Sequence, residues 1–131
     1  MSSVDVIIIV DALGALASGD LGSNVYLIDT NKHVGSSNEG QEELYTACKD
    51  GQIVNWRLSA VSPDSDVNIT GFTGQIITDK IANPTKQGID GDTYWSARVE
   101  TQGATGNYQY SVVVAIDGKP MQFDPYLKVS S

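Results

Sequence analysis

Asp90 and Asp92 stand directly before Tyr94 and Trp95, and carboxylates beside a flat ring are the equipment of sugar recognition. A ring packs on the apolar face of a pyranose, while acids and amides take up its hydroxyls. Strand alternation puts Tyr94 on a polar face and Trp95 inward, so Tyr94 is the ring offered to a ligand and Trp95 reads better as packing. With Asn107 from a neighbouring connection, the expected ligand-binding cluster is Asp90, Asp92, Tyr94 and Asn107. The competing reading makes both rings core or cross-strand packing and the acids solvated turn residues.

Other candidates are weaker. Asp64-Ser65-Asp66-Val67-Asn68 imitates the opening of an EF-hand loop, but Ile69 stands where glycine is required and Gln75 where the closing glutamate belongs. Calcium is the one ion the Asp-rich loops could take. It is not favoured, so no metal and no cofactor is expected, and one histidine without a cysteine pair excludes the usual zinc sets. His33, the single histidine, lies in a polar connection, where a catalytic role would need Ser36, Ser37 or Cys48 beside it. No G-x-S-x-G elbow, G-x-G-x-x-G or Walker loop is present. Cys48 follows strand-like residues and reads as a small buried hydrophobe, although Lys49 would activate an exposed thiol. No catalytic residue is expected.

The chain has 131 residues, 40% hydrophobic and 18% charged, which suits one domain spanning 1–131. Eight basic residues against sixteen acidic ones give a net charge of -8, which argues against nucleic acid and anionic membrane as partners. Twelve of the acids are Asp, a turn and cap residue, so the charge belongs to loops. A lone cysteine excludes an internal disulfide. The apolar start contains Asp5 and Asp11, and no Lys or Arg precedes Lys32, so it reads as structure and not as a signal peptide. A cytoplasmic protein without membrane insertion is expected, with non-classical release left open.

The elements that must position these residues are strands. Strand signals recur every 8 to 15 residues between Gly, Asp, Asn and Pro, the spacing of a sandwich or barrel. Expected strands are 4–10, 25–30, 43–48, 53–61, 67–72, 75–81, 93–101, 108–117, 121–123 and 126–129. Val4 to Val10 is apolar almost throughout, as in a strand buried on both faces. One short helical turn is expected at 12–17 behind Asp11 as N-cap. Asp50-Gly51 and Asp117-Gly118 predict tight hairpins, and Asp90-Gly91 reads as part of a longer loop from Asn83-Pro84 to Tyr94. The predicted fold is an all-β antiparallel sandwich of jelly-roll or Greek-key type, cored by Trp56, Val112, Val114 and their neighbours.

Four blocks, DVIIIVDALGALASGDLGSNVYLIDT, DGQIVNWRLSAVSP, TYWSARVE and YQYSVVVAIDGKPMQFDPYL, together resemble the bacterial inclusion body proteins of the PixA and AidA type, from Val4 to about Val129. The resemblance implies a small all-β protein of Gram-negative bacteria, tied to quorum-sensing control, host interaction and in some cases intracellular inclusions, with no catalytic residues to carry over. Two functions follow as expectations. One is a lectin-like module binding a glycan through the cluster above; the other is a self-assembling structural or storage protein, for which Lys and Arg are scarce at strand edges. A homo-oligomer, by default a dimer, is expected.

Overall fold

The computed structural model describes residues 3–30, 44–61, 66–89 and 92–130. β-branched and aromatic runs build ten strands: β1 (Val4–Val10), β2 (Val25–Asp29), β3 (Tyr45–Lys49), β4 (Ile53–Ala60), β5 (Val67–Gly74), β6 (Thr85–Ile89), β7 (Asp92–Arg98), β8 (Gly106–Ile116), β9 (Lys119–Phe123) and β10 (Tyr126–Ser130). They form two five-stranded sheets. The first runs β2-β1-β4-β7-β6, and the second β3-β10-β8-β5 with β9 also paired to β8. Alternate residues meet between them, including Val4, Val6, Ile8, Val54, Trp56, Tyr110, Val112, Val114 and Leu127, all at most 1% exposed. The expected all-β sandwich is what forms.

Its sheets are mixed where antiparallel ones were expected, because β1 pairs β4 in parallel and β3 pairs β10 in parallel. This overturns one predicted hairpin. Strands β3 and β4 lie in different sheets, so Asp50-Gly51 turns the chain from one layer to the other instead of joining two paired strands. The turn is anchored across the sandwich by Asp50 N to Ser130 O at 2.9 Å and Gly51 N to Val99 O at 2.6 Å. Asp117-Gly118 does close a hairpin, with both residues at positive φ, 48° and 84°, and Ile116 opposite Lys119.

Two further expectations change. Residues 83–94, expected to be one long loop, hold strand β6, which pairs β7 antiparallel as far as Ile89 opposite Asp92. The strand escapes pattern reading because Thr85, Lys86, Gln87 and Gly88 are all exposed, and backbone pairing alone defines it. Conversely 75–81 is not a strand. Gly74, at φ 98°, breaks β5 and starts a single helical turn, α2 (Gln75–Thr78). That turn ends in a Schellman motif, with Ile81 N bonded to Ile76 O at 2.9 Å and Lys80 N to Ile77 O at 3.2 Å, so that Ile76 and Ile81 both reach the core. The predicted first helix is α1 (Ala12–Ser18), capped by the Asp11 carboxylate accepting from Gly14 N at 3.1 Å. Among the described residues no helix is long and apolar enough to cross a membrane.

Candidate functional site

Strand β7 presents Tyr94 on the outer face of the first sheet, opposite Gln87 of β6 and beside Arg57 of β4. The Arg57 guanidinium carbon sits 4.5 Å from the Tyr94 ring centroid, a cation–π contact that covers one face of the ring. Trp95 turns inward as predicted and packs on Phe72 with centroids 5.5 Å apart. Phe72 in turn meets Trp56 at 4.9 Å, and the Trp56 indole N–H donates to the Tyr110 hydroxyl at 3.0 Å across the interior. Behind Tyr94 and Trp95 the sheets leave a cavity of only about 50 Å³, room for a few waters. An open groove of about 480 Å³ runs past Ile7, Arg57, Ser59, Asn68 and Thr93.

The predicted cluster is not gathered around that groove. Asn107 is exposed at the start of β8, opposite Lys128 in the second sheet, and on the opposite parity from inward Tyr108 and Tyr110. Tyr94 and Asn107 therefore look out from opposite faces of the sandwich. Asp92 opens β7 opposite Ile89; its side chain, and the whole of Asp90, lie outside the described residues. So do His33, Ser36, Ser37, Asp64 and Ser65.

Two of the described acids, Asp66 and Asp50, are engaged in turns. Asp66 accepts from Asn68 Nδ2 at 3.0 Å, and its backbone exchanges bonds with Asp117. Asp50 accepts from Thr101 N at 2.7 Å and Gly103 N at 2.8 Å, and these backbone donors hold its carboxyl below the usual range. Among the described residues no three His, Cys, Asp or Glu side chains come together as a metal ion would need. Cys48 is buried between the sheets, where desolvation, aided by the nearby Asp29 charge, pushes its thiol up to about 12. A thiol so protonated is no nucleophile at neutral pH.

Residue chemistry did not point to the most conspicuous surface. Four large hydrophobics are exposed among the described residues: Leu13 (67%), Val61 (61%), Tyr26 (54%) and Ile28 (36%). In register, Ile28 lies beside Ile7 and Tyr26 beside Ile9, all on the outer face of β1–β2, and Val61 follows β4 on the same parity. Ile7 and Ile9 are only half-buried. The sequence carried a signal for this, since Ile7 and Ile9 make VDVIIIV apolar on its second face apart from Asp5 and burial on both faces was expected, yet the fold fully buries only one.

Residues 2–122 match the family model of a domain of unknown function, DUF8788. The chain belongs to this family. A search of curated proteins finds no match. Among solved structures, the inclusion body protein PixA from Burkholderia cenocepacia J2315 superposes with a TM-score of 0.72 at 10% identity, covering 99% of this chain and 94% of that one. At that identity the likeness is one of fold. The resemblance read from the sequence is thus upheld as architecture, while the family shown is DUF8788.

Proposed function

We propose that this DUF8788 protein is a non-catalytic cytoplasmic protein that works by self-association, two copies meeting through the outer face of β1–β2. The observation that carries the reading is the row of Tyr26, Ile28, Ile7 and Ile9, an apolar sheet face with one side left to water. Contiguous exposed apolar surface of this kind marks an association site. The fold shared with a protein described as an inclusion body protein agrees with it. Quorum-sensing control and host interaction would be consequences of such assembly and have no residue of their own in this proposal.

The test is sedimentation velocity from micromolar to millimolar protein, on the natural chain and on Tyr26→Asp and Ile28→Asp. Average mass should rise with concentration for the natural chain and stay monomeric for both variants, with Tyr26→Asp, the more exposed at 54% against 36% for Ile28, lowering the melting temperature less. A natural chain that stays monomeric at about 1 mM sinks the proposal.

A second reading keeps the lectin-like module, in reduced form. The groove lined by Arg57 and Thr93, which are neighbours of Tyr94, is of ligand size, within the ~300 to 1,000 Å³ of small-molecule sites. Arg57 occupies one face of the Tyr94 ring, so only the other is left for a sugar, and Asn107 takes no part. A glycan array that lights up for the natural chain and goes dark for Tyr94→Ala would favour this reading over assembly.

A further inference from the structure

The end of the sandwich at α2 holds a second open groove, of about 410 Å³, that neither reading uses. Its floor is apolar, from Ile77, Ile81 and Ala82, and its rim carries Lys80, Arg98 and Glu100. Two features set it apart from an ordinary crease. First, two cations and one anion give it a local charge of +1 on a chain whose net charge is -8. Arg98 commits one guanidinium nitrogen to Gly51 O at 2.9 Å, which among the described residues leaves its other donors for a ligand. Second, Lys80 occupies the left-handed position that closes the Schellman motif, at φ 56°. Glycine is the favoured residue there, and a lysine is held in strain. Strained backbone of this kind is concentrated at functional sites.

We infer that this groove binds a small monocarboxylate with an aliphatic stem: the carboxylate between Lys80 and Arg98, the stem on Ile77, Ile81 and Ala82. Glu100 sets the charge preference. With it in the groove a single negative charge is neutralised and a second is repelled, so a carboxylate is preferred to a phosphate. The planar fork of Arg98 suits a carboxylate in the same way. The backbone bond from Glu100 N to Ile81 O, 2.7 Å, ties the β7 end of the groove to the α2 end, so floor and rim are held as one unit.

The test is a titration of isotope-labelled protein followed by amide chemical shifts, with hexanoate as probe, and hexanamide and inorganic phosphate as controls. Hexanoate should move the amides of 77–82 and 98–100 saturably, while hexanamide, which lacks the charge, and phosphate, which lacks the stem, should bind at least tenfold more weakly. Arg98→Gln should weaken hexanoate about tenfold or more. Lys80→Gly should do the same while raising the melting temperature by a few degrees, because glycine relieves the left-handed strain; binding is then separated from folding. No shift with hexanoate, equal shifts with either control, or unchanged affinity in Lys80→Gly would each overturn the inference.

Discussion

At the scale of single residues, the interior polar contact is Trp56 Nε1 to Tyr110 Oη, which links the two sheets where both side chains are at most 1% exposed. Tyr110→Phe keeps the ring and removes the acceptor, leaving a buried indole N–H without a partner. Such an orphan costs about 1 to 3 kcal/mol, to be read as a lowered urea midpoint with an unchanged slope. The same desolvation governs pH behaviour. Cys48 and Tyr110 both have pKa values raised by burial, the thiol to about 12 from an ordinary 9.0. Above about pH 9 the unfolded chain releases the Cys48 proton while the folded one keeps it, so stability is full below that pH and falls as pH climbs towards 12. Cys48→Ala should flatten this alkaline loss, measured by chemical denaturation at pH 8 and pH 10.5. Asp50 has the opposite sign. Its pKa is lowered by backbone donors, so its contribution is present above the ordinary carboxylate range and fades as pH falls through it.

At the scale of elements, the passage from β5 into α2 depends on Gly74. Its φ of 98° is one that other residues avoid, and a Cβ there would lie 2.9 Å from Tyr110 Cα, a backbone atom that cannot swing aside. Gly74→Ala should therefore cost at least ~2 kcal/mol by thermal or urea denaturation, more than loss of one helix cap. Gly118 offers a control. A Cβ meets nothing within 4 Å there, so Gly118→Ala should cost only its φ of 84°, about 1 to 2 kcal/mol. The hairpin it closes is otherwise fixed by five residue pairs.

At the scale of the whole molecule, charge opposes what the apolar face favours. Two copies at -8 repel, and screening shortens that repulsion to about 8 Å at physiological ionic strength. Association through Tyr26 and Ile28 should strengthen when salt rises from about 0.01 M to 0.5 M. An interface built on ion pairs would weaken instead, so the sign of the salt dependence in sedimentation tells the two apart.

The sequence by itself determined the layer architecture, because period-two alternation in 53–61 and 108–117 and the turn chemistry of Asp117-Gly118 are local properties that any packing must respect. It also placed Trp56 and Trp95 inward and Cys48 in the core. Tertiary structure decided the rest. Asp50-Gly51 has hairpin chemistry, yet β4 finds more apolar partners beside β1 than beside β3, so the turn crosses between sheets. Strand β6 has no apolar period and exists through its pairing with β7, whereas the β-branched stretch at 76–78 coils because Ile76 reaches the core only after the bend at Gly74. The candidate site shows the same division. Alternation fixed the face on which Tyr94 stands, but only the pairing of strands far apart in sequence put Asn107 on the opposite side and set Tyr26 and Ile28 beside Ile9 and Ile7. Neighbourhood across a sheet is a long-range property, and one chain read in order does not contain it.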